Sequence, residues 1–269
     1  MKRIILFFDT ESLWERPYRP GFDFDGSLEK ILTILESERV RAVFNLCGIL
    51  AKEHPQSIRK IVQAGHEIGV HGYRHENFLQ LSDQKMEETL IKAEEAIENV
   101  TGRKAVGMRA PWLWANRRLY RLLQERGYKW ASNQHIFLPE RFETREEFKI
   151  FRSYLPAKIF ARCRWWAFPH RPYQRDNLVE IPLLSSMDGE LLDLVSPEQD
   201  SPAEQMNFAY RSWVRQYRRA KEHFNLTFHD WLIGTANRLN LLRRILSFLK
   251  TQEDKFISAE ALYNIIMLC

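Results

Sequence analysis

Two histidines four residues apart, His71 and His75, and two carboxylates two residues apart, Asp9 and Glu11, are the side chains of this sequence best suited to hold a dication. Imidazole and carboxylate are ligands that a borderline metal such as zinc accepts, and two imidazoles with one carboxylate leave a coordination position open for water. The run His71-Gly72-Tyr73-Arg74-His75 aims both rings at one ion if the chain makes a helical turn or a tight loop, and Gly72 permits the sharp exit that a loop needs. In Phe7-Phe8-Asp9-Thr10-Glu11 the two carboxylates share parity, so on an extended chain both face one side. One can ligate the metal while the other accepts a proton from activated water.

Further along, His229 follows the apolar run Leu226-Thr227-Phe228 and is placed to give a proton to a departing amine, which leaves poorly without one. Arg109, in Arg109-Ala110-Pro111-Trp112, would set a fixed cation near Asp9 and keep that carboxylate ionised, while Pro111 stiffens the approach. Each piece alone has a plainer reading: a solvated histidine pair, a core histidine satisfied by its neighbours, an arginine in a surface ion pair.

The pattern of elements supports the joint reading. Residues 4–8, 42–45, 67–70, 105–109 and 129–132 read as strands, alternating with amphipathic stretches at 27–38, 56–64, 82–100 and 117–126. After an irregular, aromatic and arginine-rich region at about 137–177, strands at 179–181 and 226–228, a helix before His223, another at 237–249 and a last β-α unit from Phe256 complete the chain. Repeated β-α units imply a parallel sheet with helices outside, and ligands of such folds lie beyond the carboxyl ends of the strands. Asp9 and Glu11 follow the first strand, His71 and His75 the third, Arg109 closes the fourth, and His229 with Asp230 follows a late one.

In this order, Asp9-Thr10-Glu11, His71 with His75, Arg109-Ala110-Pro111 and Leu226-Thr227-Phe228-His229 resemble the motifs of the polysaccharide deacetylase family, also called the NodB-homology or carbohydrate esterase family four domain. The resemblance covers nearly the whole chain, so that residues 1–269 are expected to form one NodB-like deacetylase domain with an irregular cap or loop region at about 137–177. It implies an α/β fold, a distorted (β/α) barrel of about seven parallel strands, and a divalent ion, usually Zn2+, that activates water against an N-acetyl group. It also implies roles: Asp9 as base, Glu11, His71 and His75 as metal ligands, Arg109 as the residue that orients the base, and His229 as general acid. Pro111 and Trp112 would border the substrate, with a backbone N–H near Trp112 helping to stabilise an oxyanion.

The sequence departs from the family pattern in three places. Asp-Thr-Glu replaces the usual adjacent Asp-Asp, similar to a branch in which the ligand sits two residues after the base. Where the family often has an aspartate that holds the acidic histidine, this chain has Ala131, which leaves Asp188, Glu190 or another carboxylate for that task. The stretch Arg162-Cys163-Arg164-Trp165-Trp166 lies outside the family motifs; the indoles of Trp165 and Trp166 suit stacking on sugar rings, peripheral contact with anionic lipid, or covering the barrel mouth.

Bulk properties limit the alternatives. Of 269 residues, 45% are hydrophobic and 28% charged, as in a globular protein, and no apolar run approaches the roughly 18 residues of a membrane span. Met1-Lys2-Arg3 has the charged start of a signal peptide, but the apolar run after it ends at Asp9 and reads as a strand, so a cytoplasmic protein is expected. Three cysteines without CxxC spacing signal neither a disulfide framework nor a cysteine zinc site. The net charge of +5 and the basic cluster Arg215, Arg218, Arg219 and Lys221 are the only features favouring nucleic acid, which is not expected as a partner. The expected activity is hydrolysis of an N-acetyl amide on an amino sugar or glycan. Its rivals are an amidase acting on a small linear or cyclic amide and a catalytically impaired carbohydrate- or lipid-binding module.

Overall fold

The run Ile4-Ile5-Leu6-Phe7-Phe8 is apolar on both parities, as a strand covered on both faces must be. In the computed structural model, which describes residues 1–11, 22–135, 169–192 and 200–268, it forms the central strand β1 (Arg3–Thr10). The other described strands are β2 (Val43–Leu46), β3 (Glu67–Val70), β4 (Gly107–Met108), β5 (Trp130–Ala131), β6 (Tyr173–Arg175), β7 (Leu178–Glu180), β8 (His223–His229) and β9 (Lys255–Phe256). Their hydrogen-bonded order is β6-β7-β5-β4-β3-β2-β1-β8, with β9 added to the start of β1. From β7 to β8 every pairing is parallel, a run of seven strands curled into a half-barrel, and only β6 is antiparallel.

Helices fill the crossovers: α1 (Phe24–Ser37), α2 (Gly48–Glu53), α3 (Pro55–Gln63), α4 (Asp83–Thr101), α5 (Arg117–Glu125), α6 (Asp188–Leu191), α7 (Ala203–Arg219), α8 (Asp230–Ile233), α9 (Arg238–Lys250) and α10 (Ala259–Met267). The local chemistry explains their limits. Ser82 caps α4 by accepting from Lys85 N, its buried stripe is Met86, Leu90, Ala93 and Ile97, and Gly102 ends it in the left-handed conformation.

Alternation along β1 separates two cores. Ile4, Leu6 and Phe8 join the large cluster beneath the outer helices, whereas Ile5 and Phe7 join Val43, Trp130, Val179, Ile181 and Leu262 in a smaller one. Asp9 has the parity of Ile5 and Phe7 and so continues that second face to its upper rim. Trp130 fills much of the space there. A Cβ on Gly107 would lie 1.8 Å from its indole, so the neighbouring strand must carry glycine at that position.

Three strands differ from expectation. β6 lies within the region read as irregular and forms a hairpin edge on β7, while residues 136–168 lie outside the described set. Strands β4 and β5 are also shorter than the runs at 105–109 and 129–132. Arg109 N still donates to Val70 O and Ser132 N to Met108 O, but the carbonyls of Arg109 and Ser132 accept from the side chains of His71 and Arg109 instead of continuing the ladder.

Candidate active site

The upper end of β1 gathers the sequence candidates. Parallel register sets Asp9 beside Asn45 of β2 on one side and His229 of β8 on the other. Asp9 Oδ1 accepts from Asn45 Nδ2 at 2.7 Å and from Arg109 Nη1 at 2.9 Å. Burial opposes the charge of Asp9, but the Arg109 guanidinium, then the charges of His71 and His229 and the Asn45 bond, hold its carboxyl below the usual range.

Arg109 itself is wholly buried, and its fork is fixed by Ser132 O at 3.1 Å, Ser132 Oγ at 2.8 Å and Thr227 Oγ1 at 3.1 Å, with the guanidinium 4.3 Å over the Phe7 ring. A planar donor so completely engaged has one orientation, and it directs one N–H at Asp9.

Two residues beyond Asp9, the Glu11 carboxylate lies between the histidines. Its Oε2 is 3.3 Å from His71 Nε2 and 2.6 Å from His75 Nε2, while its Oε1 accepts from Trp231 Nε1 at 2.8 Å. His71 Nδ1 is 2.7 Å from Arg109 O, a carbonyl that can only accept, so Nδ1 carries a proton and Nε2 is the atom directed at Glu11. Glu11, His71 and His75 offer ligand atoms all within 4.8 Å of one another. This set of a fixed carboxylate and an oriented imidazole pair fits a divalent ion, and Glu11, rather than Asp9, completes it. Burial disfavours ionisation of Glu11, yet hydrogen bonding to both histidines and the nearby His229 charge keep its carboxyl well below the usual range.

The histidine pair sits on a loop, not a helix. Gly72 (φ +77°) and His75 (φ +62°) both occupy the left-handed region, and Glu76 ties the loop by accepting from Tyr73 N and Arg74 N. His75 packs edge-on against Trp112 at 4.3 Å, and Trp112 (φ +52°) belongs to the short turn Pro111–Leu113. Pro111 is buried, whereas Trp112 is 46% exposed at the lip of the site.

His229 faces the cluster from β8. Its Nδ1 donates to Asp188 Oδ1 at 2.6 Å, and its backbone N donates to Asp188 Oδ2 at 2.8 Å, so the carboxylate needed in place of Ala131 is Asp188. Glu190 instead accepts from Met187 N. Burial works against a charged ring, but Asp188, followed by Glu11 and Asp9, raises His229 to about 10. Next to it, Asp230 Oδ1 accepts from Glu11 N, and burial lifts Asp230 to about 7.

Asp9, Glu11, His71, His75, Arg109, Pro111, Trp112 and His229 thus converge on one end of the sheet. Trp165 and Trp166 lie outside the described residues. Sequence reasoning missed Asn45, Ser132, Thr227 and Trp231; polar Asn45 within Val43-Phe44-Asn45-Leu46 and Thr227 within Leu226-Thr227-Phe228 were the available signals, as breaks in apolar strands.

Comparison with known proteins identifies relatives of the chain. Residues 1–131 match the family model described as polysaccharide deacetylase, a span that holds Asp9, Glu11, His71, His75 and Arg109 but neither Asp188 nor His229. The chain is 27% identical over 161 residues, 60% of its length, to a peptidoglycan deacetylase of Helicobacter pylori. It is 31% identical over 120 residues, 44% of its length, to a peptidoglycan-N-acetylglucosamine deacetylase of Bacillus cereus. These matches span 54% and 41% of the two relatives. Among solved structures, one from Mycobacterium smegmatis assigned as a polysaccharide deacetylase superposes with a TM-score of 0.74 at 22% identity, over 99% of this chain and 90% of that one. At that identity it bears on the fold.

Proposed function

Because the chain belongs to the polysaccharide deacetylase superfamily, we propose that it is a metal-dependent hydrolase that removes an N-acetyl group from an amino sugar of a glycan. The observation that carries this reading is the placement of the Glu11-His71-His75 cluster between Asp9, held by Arg109, and His229, held by Asp188. That is a ligand set with a proton acceptor on one side and a proton donor on the other.

Glu11, His71 and His75 would hold the ion, with zinc the best match to two imidazoles and a carboxylate. Such an ion supplies acidified water and polarises the acyl oxygen. Asp9, ionised and fixed by Arg109 and Asn45, takes the proton released as water attacks the acetyl carbon. The N–H of Trp112, which enters none of the turn's backbone bonds, is a donor for the oxyanion. His229 delivers its proton to the amine nitrogen as the C–N bond breaks, and Asp188 keeps the ring charged and aimed until then. Trp112 and Trp114, with ring centroids 5.0 Å apart and both over 40% exposed, offer an apolar face beside the site for a sugar ring.

Acetate release from N-acetylglucosamine oligomers by the zinc-loaded protein tests the reading. Asp9→Asn should keep its zinc and lose turnover by about 10²-fold or more. An Asp9→Asn protein as active as the parent would remove Asp9 from the mechanism. Ammonia or ring opening from ureides, with no acetate release, would assign the site to small amides instead.

A further inference from the structure

Beside the metal cluster, the segments leaving β4 and β5 enclose a second cavity of about 240 Å³. Leu113, Asn116, Arg117, Tyr120, Asn133 and Arg175 line it. It adjoins the site already described: Leu113 directly follows Trp112, which packs on His75, and Asn133 Oδ1 accepts from the N–H of Ala110, next to Arg109.

Three independent features favour negative charge there. Arg117 and Arg175 both line the cavity, and Arg175 lies 3.6 Å over the Tyr120 ring, close enough to Glu180 to favour its charge. The nine-residue helix α5 begins at Arg117, so the positive end of its dipole lies at the cavity wall, where Asn116 Oδ1 already caps Leu119 N. Most telling is Asn133, only 4% exposed: its Oδ1 is occupied by Ala110 N, while its Nδ2 points toward the Tyr120 hydroxyl without reaching an acceptor in hydrogen-bonding geometry. A buried amide donor left unpaired is costly, and a ligand oxygen in the cavity would satisfy it. Glu180, the carboxylate beneath, is already engaged by Asn133 N, Gln134 N and Tyr120 OH. Gln134 adds the unpaired acceptor Oε1, which suits a sugar hydroxyl.

We propose that this cavity is a subsite for an anionic substituent, a carboxylate or a phosphate, on the amino sugar whose N-acetyl group is hydrolysed at the neighbouring cluster. The inference rests on the deacetylase reading and narrows its substrate to acidic amino sugars. Charged and neutral sugars share the same N-acetyl group, so the cavity would discriminate through Arg117, Arg175 and Asn133.

Calorimetric titration of the zinc-loaded protein with N-acetylmuramic acid, N-acetylglucosamine 6-phosphate, N-acetylglucosamine and inorganic phosphate tests this. At least one charged sugar should bind about tenfold more tightly than the neutral one, and which one does so identifies the anion. The preference should shrink below about threefold in Arg117→Gln/Arg175→Gln and in Asn133→Asp, which keeps an acceptor for Ala110 N but repels an anion. Equal binding of charged and neutral sugars overturns the proposal, as does a preference that survives both variants. So does binding of inorganic phosphate with no gain for either charged sugar. Binding needs no turnover, so the two readings fail separately: acetate release without a charge preference sinks only the subsite, and a charge preference without acetate release sinks only the hydrolysis.

Discussion

A histidine serves as an acid near neutral pH only if it stays protonated, and at His229, the proposed proton donor, Asp188 favours the charged ring from 2.6 Å. Asp188→Asn removes the charge while preserving an oxygen for the His229 N–H. The raised pKa of His229 should fall, so the basic limb of the rate profile should move to lower pH by about one unit or more, with kcat reduced roughly 10- to 100-fold at neutral pH. A profile with an unmoved basic limb would separate Asp188 from the proton donor. Glu180 provides the opposite case. Burial pushes this carboxyl up to about 7 from an unperturbed 4.5, so between these values the folded chain binds more protons than the unfolded one and stability falls as pH rises. The penalty is complete above pH 7 and on the order of 3 kcal/mol. Glu180→Gln keeps acceptor and donor groups for its partners, so its gain in urea-unfolding free energy should be larger at pH 8 than at pH 5. An equal gain at both would show that Glu180 does not titrate across this range.

Among the elements, the loop after β3 sets the placement of His71 and His75. Gly72 holds φ at +77°, and a Cβ there would lie 2.8 Å from Glu76 Oε2, the oxygen that accepts from Tyr73 N. Gly72→Ala therefore meets both backbone strain and a displaced Glu76, and His75 should lose its aim at Glu11. Its expected cost is about 1–2 kcal/mol in stability and about tenfold in zinc affinity, read by thermal unfolding and zinc titration. Unchanged affinity would mean that the loop conformation does not position His75. The parallel pairing of β2, β1 and β8 does the complementary work, aligning Asn45, Asp9 and His229 at one level of the sheet. No described helix is long and apolar enough to cross a membrane.

At the scale of the whole molecule, the ion should act as a staple. Glu11 comes from β1's exit, His71 and His75 from β3's, and the Trp231 that orients Glu11 from the segment after β8, so one dication would join distant parts of the chain. Binding to the folded state alone stabilises by mass action, about 2.7 kcal/mol at a zinc concentration 100-fold above Kd. Zinc should raise the unfolding midpoint of the parent and fail to do so in Glu11→Gln, with a chelator reversing the effect. A midpoint indifferent to zinc in the parent would count against a metal centre at these residues.

Much of this was legible in residue types and spacing. The apolar periods located β1, β3 and α4, and the positions of Asp9, Glu11, His71, His75, Arg109 and His229 at or after strand ends put them at one end of a parallel sheet. That inference needs only chain direction, because parallel strands must all end on the same side. Tertiary structure alone decided which carboxylate joins the histidines, that Asp188 stands in at Ala131's expected task, and that Asn45 and Trp231 orient Asp9 and Glu11. Those partners lie 36 to 220 residues apart in the chain. Hydrogen bonds across such separations are set by strand order, register and side-chain direction, which local sequence leaves open.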